Sequence, residues 1–162
     1  MFKIGKDMKL IRIIVVATML FCPTIKSNAQ AYWIYLQAED LYNGNDSVAP
    51  NYERAVSLYE KAAEMGCPMA EEKLSICYDT GKGVAMSKRK AFLWCKKAAK
   101  HGVASSQCLL GYYYAVGIGC RPSVSKSYKW YYKAANRGDQ DAIETLQSAS
   151  LYIRRIYVWS EQ

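Results

Sequence analysis

Two serine–lysine pairs are the residues whose types and spacing could support covalent chemistry. Ser87 and Lys90, and then Ser123 and Lys126, have the S-x-x-K spacing in which a lysine can activate a serine nucleophile. The S-D-N and K-T-G motifs that accompany this pair in penicillin-recognising enzymes do not occur in the sequence. Both serines also precede a predicted helix, where serine is a common N-cap. We expect capping serines, with a serine-dependent reaction as the alternative.

Other residues offer less chemistry. His101 is the only histidine of the chain and is predicted to be a surface residue in a turn. The G-x-G sequences at Gly81 and Gly117 lack the third glycine and the preceding strand of a phosphate-binding loop. No C-x-x-C pair suggests a zinc site. The sequence therefore predicts no catalytic residue, no metal site and no cofactor.

A repeat explains the elements that hold these residues. The sequence KAA-x-x-G occurs three times at intervals of 36 residues, ending at Gly66, Gly102 and Gly138. Apolar residues before and after each copy recur at i, i+3, i+4 and i+7, which is one face of a helix, and glycine favours the left-handed conformation that ends one. Each unit is predicted to be a helical hairpin that shares its core with its neighbours. We expect an all-α fold, an α-solenoid (alpha-alpha superhelix) of about 3.5 stacked antiparallel hairpins.

The segments LLGYYYAVGIG (109–119) and SYKWYYKAANRGDQDA (127–142) resemble the Sel-one-like repeat, a relative of the tetratricopeptide repeat. The resemblance covers residues 31–150, with Ser75 in place of a glycine and Asn45 and Ser47 in place of the first loop's glycines. It implies a non-catalytic adaptor or scaffold of the kind found in bacterial envelope, stress and signalling assemblies.

We predict the boundaries of the units from the repeat. They are a degenerate first repeat at 30–66, a second repeat at 67–102, a third at 103–138 and a capping half-repeat at 139–162. The tail Leu151–Trp159 is predicted to extend the last helix, although its alternation also fits a strand.

Residues 1–29 are predicted to be a secretory signal peptide. Four basic residues precede the apolar run Ile13–Phe21, and small residues precede a cleavage site after Ala29. The run is too short for the roughly 20 residues of a membrane span. An uncleaved anchor and a lipoprotein at Cys22 are the alternatives, but Phe21 is too bulky for the residue before a lipidated cysteine. We expect a periplasmic, envelope or secreted protein.

Five cysteines follow the predicted cleavage site, and export would place them in an oxidising compartment. Cys95 and Cys108 are almost equidistant from Gly102 on consecutive helices, so we predict a disulfide between them. The alternative is that Cys95 is a small hydrophobic core residue. The odd number leaves at least one thiol free or paired outside the chain.

Charge is unevenly distributed. Residues 38–79 contain nine acidic and three basic residues, whereas residues 80–138 contain twelve basic residues and no acidic one. Part of this basic surface is expected at the exposed positions of any such repeat, and the rest could steer an acidic partner. Exposed tyrosines are good interface anchors. The candidate contact residues are Lys88, Arg89, Lys90, Tyr112, Tyr128 and Tyr132.

These observations favour an exported scaffold that binds an acidic protein through a groove lined by the first helix of each hairpin. One alternative is a protein that binds or hydrolyses cell-wall material or β-lactams through Ser87 or Ser123. Another is a protein that binds an anionic membrane or polymer surface. Self-association remains open, and export disfavours nucleic acid as a partner.

Overall fold

The computed structural model describes residues 23–44 and 49–160. This part of the chain contains seven α-helices and no strand, which confirms the predicted all-α solenoid. The helices are α1 (Pro23–Asn43), α2 (Tyr52–Glu64), α3 (Pro68–Thr80), α4 (Lys88–Lys100), α5 (Ala104–Val116), α6 (Val124–Ala135) and α7 (Gln140–Ser160).

The second helix of each hairpin begins and ends in the same way. The side chains of Asn51, Ser87 and Ser123 accept a hydrogen bond from the backbone N–H three residues later, and so cap α2, α4 and α6. Gly66, Gly102 and Gly138 follow these helices with φ of 85°, 93° and 84°. Because glycine adopts this left-handed backbone cheaply, each KAA-x-x-G segment stops one helix and starts the next.

The helices pack in chain order. α1 and α2, α3 and α4, and α5 and α6 form hairpins, and the second helix of each hairpin packs against the first helix of the next. Small residues at the repeated positions, such as Ala38, Ala62 and Ala98, are fully buried. Larger core residues fill the space between helices, among them Tyr59, Leu74 and Leu110. The core is therefore continuous from one hairpin to the next, as expected for a solenoid.

Two loop glycines bring successive hairpins into backbone contact. A Cβ atom on Gly83 would lie 2.3 Å from the carbonyl oxygen of Tyr52, and one on Gly119 would lie 2.2 Å from that of Lys88. The two contacts are 36 residues apart and equivalent. No larger residue fits at either position, so each glycine loop sits directly on the start of the preceding hairpin's second helix.

The ends of the chain bear on two predictions. The backbone of the tail is helical as far as Ser160, so the extension of the last helix is confirmed and the strand alternative is wrong. Most of the predicted signal peptide lies outside the described residues. Helix α1 continues through the predicted cleavage site after Ala29.

Candidate binding surface on the second helices

The serine–lysine pairs cap helices in the structure. The Oγ atom of Ser87 accepts from the backbone N–H of Lys90 at 3.3 Å, and the Oγ of Ser123 accepts from that of Lys126 at 3.4 Å. The two ammonium groups lie over tyrosine rings, 5.0 and 5.4 Å from the ring centres. Each ammonium group is engaged in a cation–π contact with a ring, and an ammonium group has no lone pair with which to accept a proton from serine. In both pairs the serine oxygen and the lysine ammonium group are therefore engaged in structural contacts.

His101 has a structural contact that the sequence did not indicate. Its Nδ1 atom lies 2.7 Å from Oε2 of Glu71, a carboxylate that is only 3% exposed. Glu71 belongs to α3 and His101 follows the end of α4, so the contact joins the two helices of the second hairpin.

Most acidic residues that bind other side chains also join helices. Glu39 accepts from Tyr59 and, at 2.9 Å, from Lys73. Glu60 accepts from Tyr78 at 3.0 Å, and Glu72 accepts from Ser105 and Ser106. Burial and the hydrogen bond to Glu60 both raise the pKa of Tyr78. Several acidic side chains of the first half of the chain therefore hold neighbouring helices together, whereas Asp40, Glu53 and Glu64 are exposed.

The structure does not contain the predicted disulfide between Cys95 and Cys108. Both thiols are free: the Sγ atom of Cys95 donates to the carbonyl of Ser106 at 3.2 Å, whereas Cys108 lies beside the carboxylate of Asp139. The hydrogen bond of Cys95 and the carboxylate beside Cys108 give each thiol a partner other than the second thiol. Burial raises the pKa of each thiol to about 12. Cys95 is a fully buried core residue, as the alternative stated.

The three predicted basic contact residues have different roles. The Nζ atom of Lys88 donates to the carboxylate and the carbonyl of Asp79, both at 3.0 Å. Nη1 of Arg89 donates to the carbonyl of Gly119 at 2.9 Å, across the contact between two hairpins. Only Lys90 lines one of the cavities described below.

The three predicted tyrosines are exposed, as expected for contact residues. Tyr128 and Tyr132 stack on α6 with ring centres 6.4 Å apart, and Tyr112 lies on α5. None of the three lines either of the two cavities. The structure therefore separates them from Lys90.

Two adjoining surface cavities lie along the second helices. The first has a volume of about 510 Å³ and is lined by Tyr78, Lys90, Leu93, Trp94, Lys96, Lys97 and Lys100. The second has a volume of about 500 Å³ and is lined by Ala99, Lys100, Gln107, Trp130, Lys133, Asn136 and Arg137. They share Lys100, and no acidic residue lines either one. We call these two sets of residues together the basic groove.

A tryptophan covered by a lysine lies in each cavity. The Nζ atom of Lys97 is 3.9 Å from the ring centre of Trp94, and that of Lys133 is 4.5 Å from the ring centre of Trp130. The two W-x-x-K sequences are 36 residues apart and could have been found in the sequence. Because α4 and α6 are second helices, the prediction of a groove along the first helices does not describe these cavities.

Two other kinds of site are not found among residues 23–44 and 49–160. This part of the chain contains no group of three histidine, cysteine or acidic side chains that could hold a metal ion. None of its helices is long and apolar enough to cross a membrane.

The comparisons with known proteins agree with this architecture. The Sel1 repeat model matches residues 38–67, 68–103 and 104–139. A solved Sel1 repeat protein from Oxalobacter formigenes is 33% identical, with 76% of this chain and 94% of that chain covered and a TM-score of 0.68. No curated protein matches the chain.

Two further solved structures are similar. The first is c5321, a protective antigen of uropathogenic Escherichia coli with an SLR fold. It is 32% identical over 72% of this chain, with a TM-score of 0.69, and the match covers 25% of c5321. Helicobacter pylori cysteine rich protein B is 23% identical over 76% of this chain and 97% of its own, and its TM-score of 0.60 shows the fold alone. The three matched repeats and the similarity to the Oxalobacter protein establish that this chain belongs to the Sel1 repeat family.

Proposed function

We propose that this protein is an exported scaffold without catalytic activity, which binds an acidic protein partner along the basic groove. Sel1 repeat proteins are generally scaffolds for protein interactions. The geometry of Ser87 and Ser123 does not favour the serine-dependent alternative. The groove combines aromatic surface with cations, and this combination is typical of a protein-binding surface.

The observation that carries this proposal is the unequal use of charge. Acidic side chains such as Glu39, Glu60 and Glu72 are engaged in contacts between helices. Lys90, Lys97 and Lys133 of the groove, by contrast, contact aromatic rings, and no carboxylate is among the lining residues. An acidic partner would supply the missing negative charge, which accelerates association at low salt and sets its orientation.

Affinity capture from the native envelope tests the groove. The bait is the chain from Gln30 onward, compared with the double variant Lys97→Glu/Lys133→Glu and with Lys129→Glu. Lys129 is a matched control because it is an exposed lysine of α6 that lines neither cavity. We expect the same proteins with the wild type and Lys129→Glu, and their loss with the double variant or at high salt. Equal recovery with all three baits would refute binding in the groove.

Binding to acidic liposomes distinguishes a protein partner from an anionic surface. A flat charged surface contacts exposed cations wherever they lie, so Lys129→Glu should weaken such binding as much as Lys97→Glu does. We expect that the wild-type protein does not bind acidic liposomes. Salt-sensitive sedimentation that responds equally to both variants would favour the membrane-surface alternative over the proposed function.

The export part of the proposal has its own test. A basic start, an apolar run and small residues before Gln30 are typical of a cleaved signal peptide. N-terminal sequencing of the protein recovered from its native cells should therefore give Gln30 as the first residue. A protein that still begins at Met1 would contradict cleavage and favour the uncleaved alternative.

A further inference from the structure

The second cavity has an equivalent surface one repeat earlier, and the two differ in charge. Its residues Ala99, Trp130 and Lys133 correspond to Ala63, Trp94 and Lys97. Two positions change from acidic to basic or neutral: Glu64 becomes Lys100 and Glu71 becomes Gln107. Lys97 is kept as Lys133 and His101 becomes Arg137, whereas Lys100 becomes Asn136. The earlier surface therefore has two carboxylates beside its cations, whereas the second cavity has three cations and no carboxylate.

The same change leaves Arg137 without an acidic partner. Arg137 is equivalent to His101, and Gln107 is equivalent to the Glu71 that contacts His101 at 2.7 Å. Arg137 forms no ion pair with the residues that the structure describes. Its guanidinium lies against the backbone of Gly102, where a Cβ atom would be 3.0 Å from it. A permanent cation is thus held at the position where the preceding repeat places a histidine against a buried carboxylate.

Gln107 adds an unused acceptor at this place. Its side chain is 4% exposed, and its Nε2 atom donates to the carbonyl of Ala99 at 2.9 Å. Its Oε1 atom is buried and has no hydrogen-bond partner within the described part of the chain. A buried acceptor without a donor is unfavourable, so Gln107 does not fully replace the contact that Glu71 makes in the preceding repeat.

We propose that the second cavity is a carboxylate-binding subsite that takes an aspartate or glutamate side chain of a partner's peptide segment. Lys100, Lys133 and Arg137 surround the carboxylate in place of the internal acids of the preceding repeat. The inference rests on the proposed function and gives it a defined recognition element.

The neighbouring cavity indicates that the carboxylate comes from a side chain inside a peptide segment. A small anion or the C-terminal carboxylate of a chain would leave that cavity empty. The first cavity continues from Lys100 and presents Leu93 and Trp94, which suit an apolar side chain. Packed helices lie about 8–10 Å apart, and an extended peptide rises about 3.3 Å per residue. An acidic and a large apolar residue about three positions apart would therefore reach both cavities.

Fluorescence anisotropy with labelled peptides tests the subsite directly. The reference peptide is acetylated and amidated and carries one glutamate three positions from a leucine among serine and glycine residues. Its matched controls are a glutamine version, a version with glutamate next to leucine, and one whose only carboxylate is its C-terminus. We expect the reference peptide to bind at low salt and each control to bind at least about five-fold more weakly.

Three variants connect binding to the residues. Gln107→Glu restores the internal carboxylate and should abolish binding of the reference peptide. Arg137→Gln alters an exposed side chain, so it should fold normally and weaken binding about five-fold or more, while Lys129→Gln should have no effect. Melting temperatures measured in parallel show whether each variant is folded. If the reference peptide binds folded Gln107→Glu or Arg137→Gln as it binds the wild type, the subsite is refuted.

The outcomes separate this inference from the proposed function. If all acidic peptides bind equally and Lys129→Gln weakens them as much as Arg137→Gln does, the subsite is wrong and only general charge attraction remains. The same holds if no peptide binds while Lys97→Glu/Lys133→Glu still abolishes capture of the partner. If the peptides do not bind and capture is also unaffected, both proposals fail. Tighter binding of the peptide with a free C-terminus would overturn the assignment to a side chain.

Discussion

Gly111 and Tyr131 form a contact whose composition changes between repeats, and a double-mutant cycle can test it. A Cβ atom on Gly111 would lie 3.0 Å from the Tyr131 ring. One repeat earlier the pair is Ser75 and Cys95, both fully buried, and the Oγ atom of Ser75 donates to the carbonyl of Ala91 at 3.0 Å. In the third hairpin the smallest residue, Gly111, faces a large ring, whereas in the second hairpin the larger Ser75 is paired with the smaller Cys95.

The expected cost of breaking this match follows from packing. Gly111→Ser forces a side chain against a ring, which costs about 1–3 kcal/mol. Better helix propensity offsets about 0.5 kcal/mol of this. The net loss of about 0.5–2.5 kcal/mol should lower the melting temperature by about 2–8 °C for a chain of this size. Tyr131→Cys should cost about 2–3 kcal/mol, because it removes a half-buried ring.

The double variant Gly111→Ser/Tyr131→Cys rebuilds the Ser75–Cys95 pair in the third hairpin. We expect its loss of stability to be at least about 1 kcal/mol smaller than the sum of the two single losses. Urea unfolding followed by far-ultraviolet circular dichroism measures all four proteins. Lys129→Ala combined with Gly111→Ser is the control and should be additive. Strict additivity of the two contact mutations would refute the matching of sizes.

Three further predictions concern buried groups. His101→Ala should lower the free energy of unfolding by about 1–3 kcal/mol in urea titrations, because it leaves the Glu71 carboxylate buried without its partner; unchanged stability would contradict a structural role for this contact. Burial raises the pKa of Cys95 from 9.0 to about 12. Its thiol should therefore react with a thiol reagent at pH 8 roughly 1000-fold more slowly in the folded than in the unfolded protein. A disulfide between Cys95 and Cys108 in the native protein would contradict the structure. Burial also raises the pKa of Tyr35 from 10.0 to about 12. As the pH rises, the unfolded chain loses this proton before the folded chain does, so the melting temperature should fall between pH 10 and 12. A melting temperature that stays constant over this range would count against the burial of Tyr35.

The fold was predictable because its evidence repeats. Each apolar position occurs once per 36 residues and meets equivalent neighbours each time, so the stripes and the glycines predict the helix ends between residues 52 and 135 to within a few residues. The start of α1 at Pro23, inside the predicted signal peptide, was not predicted. The capping roles of Ser87 and Ser123 were predictable for the same reason. A local sequence pattern is enough to predict a helix or a cap when every copy of that pattern packs against equivalent neighbours.

The site was less predictable because it depends on contacts between different repeats. Nothing near Lys88 or Arg89 in the sequence shows that their side chains bind Asp79 and the carbonyl of Gly119. Equal spacing from a turn did not show that the Cys95 thiol points to the Ser106 carbonyl. These directions depend on how helices are rotated against each other, and residue spacing alone does not determine that rotation.

Comparing the repeats position by position distinguishes residues that maintain stacking from residues that are free to bind. Ala63 and Ala99 are both buried at the same contact, so this packing is the same in both interfaces. The charge changes at Glu64 and Lys100 lie on exposed side chains beside it, where substitutions usually alter stability by less than about 0.5 kcal/mol. The other change, from Glu71 to Gln107, is buried, and there Gln107 keeps a contact between helices by donating to the Ala99 carbonyl at 2.9 Å. The third hairpin can therefore present a surface free of carboxylates while its helices stay packed. A change of charge on unchanged packing is what a binding site added to a repeat scaffold should look like.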